Sequence, residues 1–379
     1  MNQSMELYLH IPFCARKCAY CDFLSFPQGP EVQKRYVDQL IEEIKTASAG
    51  FRDTTVTSVF VGGGTPSILK SEEIVRIFDA LRNNFNIEDT AEISMEANPG
   101  TVTREKLMDY RSAGINRLSF GLQSADNREL EALGRIHTYE EFLTSYSLAR
   151  SCGFENINVD LMSALPGQTV ESWLETLKKV ADLGPEHISA YSLIIEEGTP
   201  FYELYGENRG EGILPDEDSE REMYHQTKRM LKELGYERYE ISNYAKPGFE
   251  CRHNIGYWTG VPYLGLGLGA SSYINGTRFT NTADMEEYLN GGAGVRQDEI
   301  VLTEQDMQEE YFFVGLRMVR GVSLSMFEER FGVKAEDVYP GLLDRLIREG
   351  GAEISGDDFR LTEYGMDVSN YIMAQFLQE

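Results

Sequence analysis

Leu7, Leu9 and Ile11 alternate with Tyr8 and His10, the period-two pattern of a strand that buries one face, and Pro12 ends it at a loop. The period then changes. Within 31–49, Tyr36, Val37, Leu40, Ile41 and Ile44 recur at helical spacing, and Gly50 stops the run. An apolar strand at 56–61 runs into Gly62-Gly63-Gly64-Thr65-Pro66, and Ser71 stands where it would cap a helix carrying Ile74, Ile77, Phe78 and Leu81. The unit repeats. Strands at 92–96, 117–121, 156–160 and 187–193 alternate with helices that start at Thr103, at an Asp126–Glu129 capping box and at a Thr138–Glu141 box, and with one through Trp173, Leu174, Leu177 and Val180.

Strand–helix units of this kind predict an α/β fold with a parallel sheet curled toward a TIM-like barrel. Six of them make a partial (β/α)6 barrel, too few to close the eight-stranded form. In such barrels function gathers on the loops at the C-terminal ends of the strands. The motifs Gly62–Pro66, Asn98-Pro99-Gly100, Gln123-Ser124 and Leu165–Thr169 all fall there.

Beyond residue 205 the pattern predicts a helix at 217–234 with Met223, Met230, Leu231 and Leu234 inward, and a strand at 239–244. The glycine-rich run at 263–272 is expected to be a close-packed strand or loop. Asn290-Gly291-Gly292-Ala293-Gly294 marks a boundary. After it, helices at 306–318, 323–331 and 342–349 precede a hairpin of 353–355 and 359–361, which resembles a winged helix. The expected division is a barrel core at 1–205, a barrel-completing extension at 206–295 and an α+β winged-helix-like domain at 296–379.

Charge narrows the partners. A net charge of −27 over 379 residues argues against nucleic acid and anionic membranes, which require clustered Lys and Arg. From 300 to 379 there are 16 acidic and 7 basic residues, a net −9, so the winged module reads as a lid or docking surface. No stretch of about 18 apolar residues occurs, and no integral membrane protein is expected. Five cysteines, with three together, fit a reducing cytoplasm better than a disulfide framework.

Those three are Cys14, Cys18 and Cys21, and they offer three ligands where a closed site takes four. Either His10 completes a zinc knuckle, which would suit a zinc-binding winged-helix regulator, or an iron–sulfur cluster keeps one iron open. With Tyr20, the motif C-x3-C-x-aromatic-C resembles the signature of the radical SAM superfamily. The resemblance implies a 4Fe-4S cluster on three thiolates, S-adenosylmethionine on the fourth iron, an electron donor, and a radical SAM barrel as the form of the fold. It also implies cofactor contacts at Tyr8, Tyr20, Gly63, Gly64, Thr65, Glu96, Gln123, Arg135 and Asp160. Acidic Glu96 and Asp160 suit ammonium or ribose hydroxyls, and Arg135 suits a carboxylate. A Glu96–Arg135 ion pair is the alternative that needs no ligand.

The stretches HIPFC, GGGTP, EANPG, GLQS, LGRIH and NVDLMSALPGQT resemble, across the whole chain, the branch holding oxygen-independent coproporphyrinogen III oxidases and the HemW family of heme chaperones. Phe23 stands where the oxidases carry a fourth cysteine, and the chain reaches its cysteines without their longer N-terminal arm. Both departures turn the expectation away from oxidative decarboxylation of coproporphyrinogen III and toward a chaperone that delivers heme to an acceptor hemoprotein, for example a respiratory one. The segment Cys251–Trp258 contains HNxxYW, which resembles the heme-associated motif of that family. It implies a heme contact at His253, with Tyr257 and Trp258 against the macrocycle and Cys251 as a further thiolate donor. His137, His187 and His225 are expected to be structural.

Overall fold

A computed structural model describes residues 4–378 apart from 208 and 293. The six predicted strands are present as β1 Ser4–Ile11, β2 Thr55–Gly63, β3 Asn86–Ala97, β4 Arg117–Gln123, β5 Asn156–Ser163 and β6 His187–Ser192. Each lies parallel to the next in sequence order. The intervening helices are α1 Pro30–Ala47, α2 Ser71–Asn84, α3 Arg104–Ser112, α4 Asn127–Ala132, α5 Tyr139–Ser151 and α6 Val170–Ala181. The sheet stays open. Beyond β6, α7 Pro200–Tyr205 and α8 Glu217–Glu233 lead to an antiparallel pair, β7 Glu237–Arg238 and β8 Asn243–Ala245, with β8 on β6. Past β1, α9 Arg252–Thr259 precedes β9 Tyr263–Leu266, β10 Ser271–Ile274, β11 Thr277–Asn281 and β12 Arg296–Val301, giving twelve strands in one sheet.

Strand alternation sorts the side chains. Leu7, Leu9, Val59, Val61, Ile93, Met95, Leu118, Phe120, Ile157, Val159 and Ile188 are buried in the main core. At about 25 cal/mol per Å² of apolar surface removed from water, this layer is the main source of stability. The residues between them are polar and equally buried: Glu6, Ser58, Glu92, Ser94, Arg117, Ser119, Asn158 and His187. In register, Glu6 pairs with Ser58, Ser58 with Glu92, Ser94 with Arg117, Ser119 with Asn158 and Asn158 with His187. The concave side of this sheet is therefore a hydrogen-bonded polar interior.

Several local expectations change. Ser71 is the first residue of α2, buried, and Lys70 precedes it without a side-chain cap. Asp126 caps α4, but Glu129 turns inward to Ser124, Gln168 and Ser172, so it closes no box, whereas the Thr138–Glu141 box forms. The strand expected at 239–244 is the β7–β8 hairpin, whose tight return leaves 239–242 outside the ladder. Leu234 is 40% exposed, because α8 has ended at Glu233 and Leu234 lies past its buried face. Strand β12 pairs with β11, so the large sheet runs past the boundary expected at 296, and Ala293 of the boundary motif lies outside the described residues.

The C-terminal module has its own core, with Phe312, Phe327, Phe359 and Phe376 fully buried. Its helices Glu304–Gly315, Leu324–Phe331 and Leu342–Arg348 precede the hairpin Ala352–Ser355 and Asp358–Leu361, to which Val322–Ser323 adds a third strand. Among the described residues no helix is long and apolar enough to cross a membrane.

Candidate functional site

The C-terminal ends of β1–β6 open on a cavity of about 510 Å³. Cys14, Cys18, Cys21, Tyr20, Gly63, Gly64, Thr65, Glu96, Gln123, Arg135 and Asp160 all line it, although β1 and β5 are separated by some 150 residues of chain. Parallel strands deliver them to one end because every crossover returns the chain to the same edge. The cysteine loop is held at this mouth from two sides. Its Phe26 N–H donates to Pro12 O at 2.9 Å, and Ala19 N–H donates to Leu133 O at 3.1 Å, tying it to the segment after α4.

The glycines serve that docking. A Cβ on Gly64 would stand 2.6 Å from the carbonyl oxygen of Phe13, next to Cys14, and one on Gly63 would meet the His10 ring at 2.6 Å. Gly63 also has φ +112°, a conformation that side chains disfavour. Its N–H donates to Glu96 Oε2 at 3.2 Å.

Arg135 is the hub. It donates through Nη1 to Cys18 Sγ at 3.5 Å, through Nη2 to Asn98 Oδ1 at 2.9 Å, and to the carbonyl of Gly121. Glu96 is not its partner, so the internal ion pair is not formed: Arg135 is drawn to the thiol loop and Glu96 to the glycine turn. Asp160 accepts from Ser119 Oγ at 3.0 Å and Asn158 Nδ2 at 2.8 Å, and the Tyr191 hydroxyl donates to Gln123 Oε1 at 2.9 Å. Gln123 has φ +76°, a strained value for a side-chain-bearing residue and a mark of functional positions. Thr65 Oγ1 accepts from Asn98 Nδ2 at 2.9 Å. Asn98, of the Asn98-Pro99-Gly100 motif, also lines the cavity, as do Ser119 and Tyr191, which were not singled out in the sequence. The one signal for Ser119 and Tyr191 is a position at or near a strand end on the same face as Glu96.

Three of the expected ligand residues have other partners. Tyr8 lies outside the cavity lining. Its hydroxyl pairs with His10 Nδ1 at 3.0 Å and its ring stacks on Phe60, because even positions of β1 meet even positions of β2. His10 cannot complete a zinc knuckle with these contacts in place, since its Nε2 also donates to Leu24 O at 2.8 Å. His253 is 1% exposed inside the opposite end of the barrel, where Ser58 Oγ meets Nδ1 at 2.8 Å, Tyr257 Oη meets Nε2 at 3.0 Å, and the ring stacks on Phe60. No ring nitrogen is left to reach a heme iron while α9 is seated.

Helix α9 is a plug. The Glu92 carboxylate accepts from the N–H groups of Arg252 at 3.2 Å and His253 at 3.3 Å, placing a negative charge at the helix N-terminus. A Cβ on Gly256 would overlap the Glu6 carboxylate, so only glycine lets the helix sit this deep. Cys251 is fully buried and donates to Glu92 Oε1 at 3.4 Å; burial pushes its thiol up to about 12, which makes it an inert contact. His137 and His187 are buried and hydrogen-bonded, and His225 faces Asp367.

The interior carries strong electrostatic penalties. Burial, followed by repulsion from Asp160, raises Glu96 to about 8, and burial raises Asp160 above the usual carboxylate range. Two half-buried carboxylates at the mouth fit a ligand that brings positive charge, as a sulfonium or ammonium does. At the plugged end burial lifts Glu6 to about 8 and drops His253 to about 3, so their 3.6 Å approach is a neutral pair at pH 7.

Glu6 and Glu96 bind protons in the folded state that the unfolded chain releases near 4.5. Their contribution is complete below that value and is lost as pH rises through about 8. Raising the pH from 5.5 to 8 should therefore lower the urea midpoint of ligand-free wild type more, or raise it less, than that of Glu6→Gln or Glu96→Gln, the buried His10, His137, His187 and His253 acting in the opposite sense in all three. Equal pH dependence in wild type and variants would contradict this assignment.

Residues 8–180 match the radical SAM superfamily, and residues 302–368 match the HemN C-terminal domain. The chain is 37% identical to the heme chaperone HemW of Bacillus subtilis over 98% of its own length and 99% of that protein's. It is 35% identical to the heme chaperone HemW of Escherichia coli, over 99% and 98%. Among solved structures, coproporphyrinogen III oxidase (HemN) from Escherichia coli, described as a radical SAM enzyme, superposes with a TM-score of 0.85 at 26% identity. The match covers 99% of this chain and 90% of that one.

Proposed function

The chain belongs to the HemW family of heme chaperones within the radical SAM superfamily, and from this premise we propose that it binds heme and passes it to an acceptor hemoprotein. The observation that carries the reading is the likeness to proteins named heme chaperones along the entire chain, barrel and C-terminal module alike. Decarboxylation of coproporphyrinogen is the lesser reading. The oxidase structure is the more distant match, and Phe23, 67% exposed at the cavity rim, stands where a fourth cysteine is expected in those enzymes.

Cys14, Cys18 and Cys21 would hold a 4Fe-4S cluster, and the polar mouth would hold S-adenosylmethionine, which together supply one-electron chemistry. The chain's own residues bind and orient. Arg135 donates to Cys18 Sγ and so positions the cysteine loop, Glu96 and Asp160 would face cationic and hydroxyl groups, Gln123 is held by Tyr191, and Gly63 and Gly64 let the loop close down. An electron donor is required for any reductive step. The acidic chain and its cysteine content agree with work in the cytoplasm.

The test is anaerobic loading of reconstituted protein with heme, followed by mixing with an apo-hemoprotein whose Soret band is distinct. Saturable one-site loading and heme appearance in the acceptor are expected. Loading that is non-saturable, or heme that reaches the acceptor no faster than free heme does, would remove the chaperone reading, and coproporphyrinogen decarboxylation would then be assayed.

A further inference from the structure

Resting on the chaperone reading, we propose that the tetrapyrrole sits in the cleft between α9 and the C-terminal module, with Arg320 and Arg330 binding its two carboxylates. The cleft has a volume of about 210 Å³ and opens to solvent, so it would grip a macrocycle between its walls and leave one edge outside. Trp258, Tyr263 and Tyr273 line one wall, and Tyr311 and Met326 line the other. Flat aromatic walls suit a macrocycle, and the thioether of Met326, 62% exposed, is an adaptable apolar contact and a soft donor within reach of the cleft.

The charges separate by role. Arg278 is occupied by a two-pronged pair with Glu310, at 2.9 Å for each bond. Among the ion pairs of the described residues Arg320 and Arg330 have none; the Nη2 of Arg330 only approaches the Tyr273 hydroxyl at 3.5 Å. Asp358 is the one remaining acidic side chain on the described lining, so the cleft keeps a positive excess in a chain of net charge −27. Elsewhere such a chain repels a dianionic ligand, and this cleft selects it.

The HNxxYW segment divides across α9. His253 faces the barrel interior, and Trp258 faces the cleft under the Arg317 guanidinium at 4.5 Å, its buried indole N–H without a partner. Tyr257 joins the two sides, since it lines the cleft while its hydroxyl meets His253 Nε2. The motif thus acts as a wall of the site and a helix anchor.

The experiment is titration of the full-length protein with ferric heme and, separately, with iron-free protoporphyrin IX. It compares wild type with Arg320→Glu/Arg330→Glu and with Met326→Glu, all changes at exposed positions whose folding is checked by thermal melts. Loss of two charge-assisted contacts at exposed positions should raise Kd about tenfold or more for both porphyrins in the arginine variant, and a rise is expected also in Met326→Glu. One-site binding unchanged in both variants would overturn the cleft and leave the chaperone reading standing. Absence of saturable heme binding in wild type would remove that reading and the cleft with it.

Discussion

Replacing any one of Cys14, Cys18 and Cys21 by Ala should leave the protein folded and colourless. The three thiols sit on a loop, half-buried, outside the apolar core, so their loss removes little packing and should shift stability by less than about 1 kcal/mol. Among the described residues the cavity lining offers no histidine in place of a thiol, and the imidazole of His10 is committed to Leu24 and Tyr8. Reconstituted variants should therefore lose nearly all iron and labile sulfide, and S-adenosylmethionine affinity should fall by roughly two orders of magnitude or more, as expected when a metal site loses a direct ligand rather than an outer partner. Iron and sulfide assays beside a thermal melt check this. A Cys18→Ala protein that retains its full iron and sulfide would show that the loop does not hold the cluster through that thiolate.

Arg117→Met is expected to be the most destabilising single change in the barrel, at about 3–5 kcal/mol. Arg117 is 2% exposed, donates to Ser94 Oγ at 3.4 Å, and is the cation facing Glu92, Asp160 and the Cys251 thiol. Without it the Glu92 carboxylate at the N-terminus of α9 loses the guanidinium that faces it. Methionine replaces the volume, so the loss isolates charge from packing. Urea unfolding, followed by a probe in the barrel, measures it, with the C-terminal module followed separately because two cores need not unfold together. Adding Glu92→Gln should restore part of the loss. Equal stability of wild type and Arg117→Met would mean that water, and not Arg117, satisfies the interior carboxylates.

Much of the barrel was legible because its code is local. Leu7, Leu9 and Ile11 show which face of β1 is buried, Gly114 and Gly153 stop helices at positive φ, and Thr138 with Glu141 builds a box within one turn. Places where the reading slipped are those where a distant partner overrode a local preference. Glu129 left its box for Ser124, Gln168 and Ser172, and β12 joined a sheet whose nearest strand lies beyond a turn.

The sequence by itself determined the parallel strand order, the chemistry of the cysteine loop and the family, since alternation, thiol spacing and short motifs are properties of neighbouring residues. Only the tertiary structure decided which face of α9 looks where. An eight-residue helix covered on both sides carries no amphipathic signal, so nothing local distinguishes His253 buried against Ser58 and Phe60 from a histidine turned toward a ligand. The same holds for Arg320 and Arg330, ordinary surface residues in the chain, which become a pair only because the C-terminal module brings them opposite Trp258 and Tyr263. Contacts between residues far apart in sequence depend on the packing of whole elements, and that packing is set by the burial of all their apolar faces at once.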